Sequence, residues 1–400
     1  MQIIKINNIL FFLLGIFFTI PVQIVGNFIL GEIICFLILI FNIKTSLILV
    51  QKSRFLVRFS LLYLISYILI LLSTLYNGNG PIALAKAAAS FLFIYASTLA
   101  FLILFRRNAM LILPFLLGLA LGKIFTPTHI DLGITLGNAT YFEIYASVLT
   151  PLTIFISLIF RKNKALVFTI FMSYGIISLI FDARSLGFVF ILSALFSWML
   201  NSTLVIKKSS FYVSAILISF FVFQLYISSY SDNTTTTANS EQNQLTNTLD
   251  IINRNQTLVG LIAFADKPLF GHGYDKKTNE YNKLGISLGL LNIYSLDVYR
   301  IPTHSIIVGS AVSGGIIASL CWLYLFKYLI NSLFIMVNYR VRDNLNPVLL
   351  FIILFSFWNL IFSPFGYARY TLPFLLAFFI IQMYLIQNNL KKQKIKILKK

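Results

Sequence analysis

The chain has 400 residues, of which 58% are hydrophobic and only 11% are charged. A soluble fold cannot bury so large an apolar fraction, so the composition predicts an all-α polytopic membrane protein. The apolar segments do not alternate with polar residues, which excludes a membrane β-barrel. The net charge of +19 does not indicate a nucleic-acid partner, because the basic residues form short clusters between apolar runs, as topology signals do.

Apolar runs long enough to cross a bilayer recur along the whole chain. About 20 apolar residues are needed for one crossing, and twelve such runs are predicted within a single integral membrane domain, residues 1–400. The second run is the weakest, because Lys44 interrupts a longer apolar stretch. The predicted spans are 8–25, 28–43, 59–76, 85–105, 109–124, 139–160, 165–181, 186–200, 209–228, 304–326, 346–363 and 370–387.

The positions of the basic clusters predict the orientation of these spans. If the N-terminus is cytoplasmic, Arg54 and Arg58, Arg106 and Arg107, and the six lysines of the segment "KKQKIKILKK" all fall in cytoplasmic connections, as the positive-inside rule requires. The alternation needs an even number of spans, so both termini are expected in the cytoplasm. The basic C-terminal segment is expected to lie near anionic membrane lipids.

One predicted external connection, residues 229–303 between spans nine and ten, is far longer than the others. Its first part, "SDNTTTTANSEQNQLTN", is polar and of low complexity, which predicts a flexible segment. In residues 249–266, "LDIINRNQTLVGLIAFAD", apolar residues recur near helical spacing and predict an amphipathic helix along the membrane face. Pro268 would end this helix, and the following "FGHGY" would form a turn.

Four ionisable residues are predicted to reach the outer face. His304 begins the tenth span, Arg184 lies in the turn between spans seven and eight, Arg254 is on the loop helix, and Arg369 enters the last span. An arginine in or near lipid is costly and usually has an anionic partner, and the guanidinium fork matches phosphate oxygens. Together they predict a pocket for a phosphate-bearing lipid, although each alone could be an interfacial anchor, a lipid headgroup contact or a solvated helix surface.

Other polar groups near the same face favour structural roles. His272 lies in a glycine-rich turn, and Glu32 and Glu143 are lone carboxylates that are expected to be hydrogen-bonded within the protein. The small residues of "GSAVSGG", residues 309–315, predict a surface for close helix packing. The sequence has no Asp-x-Asp motif, no His/Cys cluster and no Walker loop, so it predicts neither a metal nor a cofactor.

Four stretches occur in an order that points to a family. "FDARSLGFVFIL" places Arg184 at the entry to a span, and "NRNQTLVGLIAFADKPLFGHGY" places Arg254 before a helix, a proline and a glycine-rich turn. "THSIIVGSAVSGGIIASL" opens near His304, and "FSPFGYARYTLPFLL" carries Arg369. Together with the twelve-span layout and the large external loop, these stretches resemble the bacterial O-antigen ligase family, part of the wider ligase and polymerase group of surface-polysaccharide membrane enzymes.

The resemblance implies a reaction and a set of roles. In this family a glycan built on undecaprenyl diphosphate is moved to an acceptor hydroxyl at the periplasmic face of the inner membrane. In the ligases the acceptor is the lipid A–core oligosaccharide, and no metal is needed because diphosphate is a good leaving group. Arg184, Arg254 and Arg369 would bind the donor diphosphate, and His304 would accept the hydroxyl proton or orient a phosphate. Ser305 departs from the pattern, because many members have Asn there.

The sequence leaves four alternatives open. A polysaccharide polymerase shares the donor chemistry but uses a second lipid-linked glycan as acceptor, and a protein O-oligosaccharyltransferase uses a protein. A transporter of lipid-linked glycans would be expected to have similar halves and charges at the midplane of the membrane, neither of which the sequence indicates. An assembly protein without catalysis is the fourth.

Overall fold

A computed structural model describes residues 2–23, 27–125, 146–180, 184–201, 255–291, 300–339, 341, 343–363 and 365–398. The described chain is almost entirely helical, which agrees with the predicted all-α class. Its strands form one short antiparallel hairpin, in which β1 (Pro21–Gln23) pairs with β2 (Asn27–Ile29).

Most neighbouring helices are joined by short connections, whereas residues 267–279 form a longer one between α10 and α11. In chain order they are α1 (Gln2–Phe17), α2 (Leu30–Phe41), α3 (Ile43–Lys52), α4 (Arg54–Tyr76), α5 (Pro81–Arg107), α6 (Ile112–Phe125), α7 (Ala146–Ile159), α8 (Lys164–Ile180), α9 (Arg184–Asn201), α10 (Asn255–Asp266), α11 (Glu280–Ser287), α12 (Ile306–Gly314), α13 (Ile316–Asn338), α14 (Asn346–Phe362) and α15 (Phe365–Leu398). A 3₁₀ turn, Ala109–Leu111, precedes α6.

Four of the described helices are long and apolar enough to cross a membrane. They are α4, α5, α13 and the part Thr371–Lys392 of α15. The pair α2 and α3 would make a fifth span, but its two halves meet at 84° at Asn42, two residues before Lys44. The helices at six other predicted spans are apolar but have only 10–17 residues, and the predicted span 209–228 lies outside the described residues.

Two predicted spans differ from the helices that form. The predicted span 8–25 is wrong in its second half, because α1 ends at Phe17 and the chain turns into the β1–β2 hairpin. The predicted span 304–326 is broken at Gly315, where φ is +79° and separates α12 from α13. A side chain at this position would collide with the Leu269 carbonyl, so only glycine allows the two segments to approach.

The long helices define two ends of the molecule. We call the end where α4 begins at Arg54 and α5 ends at Arg107 the basic end, and the end where α4 meets α5 through residues 77–80 the turn end. Helix α13 runs antiparallel to α4, since Gly314 lies against Ile70 while Tyr328 stacks on Phe55 at 3.7 Å between ring centroids. The buried core between the helices is rich in stacked and edge-on aromatic rings.

Candidate functional site

His304 is fixed at the C-terminal end of α14 by its neighbour Ser305. The Ser305 hydroxyl accepts a hydrogen bond from the Val308 amide at 3.2 Å, which caps α12, and donates one to the Leu360 carbonyl at 3.1 Å. Ser305 is buried and His304 is half-buried. A hydroxyl at this position, where an amide is expected from the resemblance, therefore joins α12 to α14 and holds the backbone of His304 in place.

Arg184 begins α9, and the packing of α9 places this helix start near the same end of α14. The Asn346 amide donates to Asn201 at 3.2 Å where α14 begins and α9 ends. Farther along, the rings of Phe188 and Trp358 lie 6.4 Å apart. The two helices are therefore antiparallel, and the start of α9 lies beside the end of α14. The side chain of Arg184 is outside the described part of the structure.

Arg254 lies outside the described residues, but α10 begins at the next position. A Cβ atom on Gly260 would lie 3.0 Å from the Pro302 carbonyl and 3.1 Å from Thr303 Cγ2. Helix α10 therefore packs on the segment that leads into His304. Its first residue precedes Gly260 by about 7.5 Å along the helix axis, at 1.5 Å per residue. The described helix, which ends at Asp266, falls within the predicted range 249–266.

Arg369 has a partner within the protein, the carboxylate of Glu32. Arg369 Nε and Nη2 donate to Glu32 Oε1 and Oε2, both at 2.5 Å, and both residues are buried. Glu32 also accepts from the Ile29 amide at 3.3 Å, and the guanidinium lies 5.9 Å from the centre of the Phe28 ring. Glu32 is hydrogen-bonded within the protein, as expected from the sequence, whereas Glu143 lies outside the described residues. One of the two edges of the Arg369 guanidinium is therefore already occupied.

The "FGHGY" segment forms a buried clamp at the turn end. The amides of His272 and Gly273 donate to the carbonyls of Val312 and Ser313 at 2.7 and 3.0 Å. On the other side, Asn79 Nδ2 donates to the His272 carbonyl at 2.9 Å. The glycines on either side of His272 have φ of +67° and +79°, which lets the backbone pass between α12 and the α4–α5 turn. The segment therefore ties the break after α12 to the end of α4.

The His272 side chain is enclosed by the same part of the fold. It is 4% exposed, and its Nε2 lies 2.8 Å from the Ala263 carbonyl and 3.3 Å from Tyr281 Oη. The Tyr281 hydroxyl donates to Asp266 at 2.7 Å. Burial lowers the pKa of His272 below its ordinary value, so the neutral ring donates from Nε2 to the carbonyl. These contacts agree with the structural interpretation of His272.

The turn end also has an ion-pair network that the sequence does not predict. Asp275 accepts from Lys86 at 3.1 Å and from Arg300 at 2.7 Å, and its φ is +53°. It joins α5 to the segment that enters α12. A lone Asp after a glycine-rich turn was the available signal, but its two partners are distant in sequence and could not be assigned from it. Within the described ranges, no group of three His, Cys, Asp or Glu residues could hold a metal ion.

Three of the four predicted positions lie at or near the starts of α9, α12 and α15, and these starts lie at one end of α14. Helix α10, which follows Arg254, packs against the segment that leads into His304. Arg369 lies five residues into α15 and is buried behind Glu32. No protein-family model matches the chain, and no curated protein or solved structure matches it either.

Proposed function

We propose that the chain is a membrane glycosyltransferase of the O-antigen ligase type, which acts in lipopolysaccharide biosynthesis. It transfers a glycan from undecaprenyl diphosphate to the lipid A–core oligosaccharide at the periplasmic face. The observation that carries the proposal is that the starts of α9, α12 and α15 lie at one end of α14, while α10 packs on the segment before α12. A predicted site residue lies at or near the start of each of these four helices.

The charge distribution supports placing this site outside the cell. Arg54, Arg106 and Arg107 lie at the basic end, and basic clusters favour the cytoplasmic side. The turn end then faces the periplasm. The proposal includes twelve spans in the bacterial inner membrane with both termini cytoplasmic. Reporter fusions at Lys207 and Asn243 should therefore lie on opposite sides of the membrane. Two reporters on the same side would contradict the predicted number of spans.

The proposed chemistry is a single displacement at the anomeric carbon of the donor. The acceptor hydroxyl oxygen forms the new bond to this carbon, and the bond to the diphosphate oxygen breaks with its electron pair leaving on the diphosphate. His304 takes the hydroxyl proton, because an imidazole within reach of the acceptor can act as a general base. Arg184 and Arg254 balance the charge that develops on the leaving group. Losing one such contact is expected to raise the barrier by about 2–4 kcal/mol.

Arg369 has a more restricted role in this proposal. Glu32 engages the edge formed by Nε and Nη2, so the diphosphate would meet Nη1, which lies outside that pair. The carboxylate fixes the plane of the guanidinium, and a fixed fork loses less freedom when it binds phosphate than a mobile one. Arg369 is thus proposed to bind the donor diphosphate from a position that Glu32 sets.

A deletion strain tests the proposal against its nearest competitor. Loss of a ligase leaves long glycan on the lipid carrier and unmodified lipid A–core on a lipopolysaccharide gel. Loss of a polymerase instead leaves lipid A–core that carries a single repeat. The proposal predicts the first pattern for the deletion strain. The intact gene should restore ligated glycan, and a gene encoding His304→Ala should not. The single-repeat pattern would assign the chain to polymerisation.

A further inference from the structure

A large cavity lies at the basic end, away from the candidate glycosyltransferase site. Its volume is about 1110 Å³, and it is bounded by the α3–α4 junction, the end of α5, the middle of α13 and the last part of α15. Small-molecule sites commonly occupy about 300–1,000 Å³. The cavity is therefore large enough for a ligand with both a headgroup and part of a chain.

Five basic side chains line this cavity: Lys52, Arg54, Arg106, Arg107 and Lys391. All five are exposed, and none forms an ion pair within the part of the chain that the structure describes. No Asp or Glu is among the described residues that line the cavity. Among the residues that the structure describes, no carboxylate offsets this cationic rim, which is complementary to an anion.

Local structure holds the basic residues in place. Lys52 ends α3 and Arg54 begins α4, and Ser53 between them caps α4 by accepting from the Leu56 amide at 3.4 Å. Arg106 and Arg107 are the last residues of α5, where cations are favoured by the helix dipole. Four of the five rim residues thus belong to two helix junctions, and the fifth, Lys391, lies on α15.

The wall below the rim is apolar. It includes Leu102, Phe105, Ile381 and Leu385, together with the Tyr328 ring that stacks on Phe55. Polar side chains also line the cavity at Asn108, Gln382, Gln387 and Asn388. An apolar wall beneath a cationic rim matches a molecule with a phosphate at one end and hydrocarbon at the other, and not a free inorganic anion.

We propose that this cleft binds one anionic phospholipid of the cytoplasmic leaflet, with the phosphate on Arg54, Arg106 and Arg107 and the first part of an acyl chain against the wall. The occupant is a lipid because the five basic side chains are exposed, while the cavity is also lined by apolar side chains such as Leu102 and Phe105. The proposal does not depend on glycan transfer, since it concerns the opposite end of the molecule.

The test compares two variants that lose the same charge. Arg106→Gln/Arg107→Gln removes two cations from the cleft, whereas Lys44→Gln/Arg58→Gln removes two exposed cations that do not line it. The delipidated full chain in neutral detergent is titrated with short-chain phosphatidylglycerol, and bound lipid is counted by native mass spectrometry. Phosphatidylcholine and inorganic phosphate serve as separate probes.

The cleft variant is expected to bind phosphatidylglycerol at least about tenfold more weakly, because each basic residue near an anionic headgroup strengthens the attraction to the lipid. The matched variant should bind the lipid as the unaltered chain does. Arg106→Lys/Arg107→Lys should recover most of the affinity, which separates charge loss from misfolding. Equal weakening in both Gln variants, or in neither, would overturn the proposal. Binding of inorganic phosphate as tight as that of the lipid would overturn the assignment to a lipid.

Discussion

Glu32 and Arg369 are 337 residues apart in the chain, yet their side chains meet in a two-point ion pair inside the protein. The pair joins the start of α2 to the start of α15 and is closed on one side by the Phe28 ring. A buried charge without its partner is strongly destabilising. The position of α15 at the candidate site therefore depends on a carboxylate from the N-terminal part of the chain.

Exchanging the two charges separates stability from donor binding. Glu32→Gln leaves Arg369 buried without a full partner and is expected to cost about 3–5 kcal/mol of unfolding free energy. The double variant Glu32→Arg/Arg369→Glu restores the pair and should recover much of the unfolding temperature. It moves the cation away from the proposed diphosphate position, so glycan transfer should stay low. Recovery of full transfer in the double variant would show that Arg369 is only structural.

Because α12 and α13 are separated at Gly315, we expect the stability of the protein to be unusually sensitive to substitution of this residue. Gly315→Ala adds the strain of a positive φ, about 1–3 kcal/mol, and a collision with the Leu269 carbonyl. Gly289→Ala is the matched control, because φ there is +69° and the new methyl group would meet nothing within 4 Å. Thermal unfolding of the purified protein should show a clearly larger loss for Gly315→Ala. Equal losses would mean that the close approach at Gly315 is unimportant.

The buried His272 predicts that the clamp weakens in mild acid. Burial lowers the pKa of His272 in the folded protein, so the unfolded chain binds the proton more readily. The stabilisation is complete above the unfolded pKa, about 6.5, and is lost as pH falls from there towards the lower folded pKa. Proteolysis within residues 263–281 should therefore become faster as the pH falls from 7.5 to 5. His272→Gln should reduce this dependence on pH, and an unchanged dependence would assign it to another group.

Ser305 is expected to matter through the position of His304. Ser305→Ala removes the cap of α12 and the bond to Leu360, and loss of a cap typically costs about 1 kcal/mol. Asn163→Ala is the control, because Asn163 caps α8 through the Leu166 amide. Both variants should lower the unfolding temperature, but only Ser305→Ala should also lower the rate of transfer. A similar effect of both on transfer would indicate that stability alone explains it.

Much of the helical framework could be predicted because apolar periodicity and charge clusters are local signals. They indicated α10 within 249–266 and the end of that helix before Pro268. The close packing expected of 309–315 also occurs, since Gly314 lies against Ile70 and Gly315 against Leu269.

The remaining features depend on contacts that hydropathy does not report. The break at Gly315 is set by the approach of a distant carbonyl, and the β1–β2 hairpin lies inside what hydropathy describes as a continuous apolar region. Glu32 and Arg369 each stood out as a lone charge near a span, but nothing local indicated that they pair. The candidate positions could be proposed one by one from the sequence, whereas the packing of the helices that carry them could not.

The central claim is that Arg184 and Arg254 bind a donor diphosphate beside His304. The most direct test measures binding of lipid-linked donor and glycan transfer separately in purified Arg184→Ala, Arg254→Ala and His304→Ala, with Arg161→Ala as a control for charge. Both site arginine variants should bind donor at least about tenfold more weakly, which is about 1.4 kcal/mol each. His304→Ala should bind donor but not transfer it, and the control should do both. Normal donor binding and transfer by Arg184→Ala and Arg254→Ala together would contradict the account.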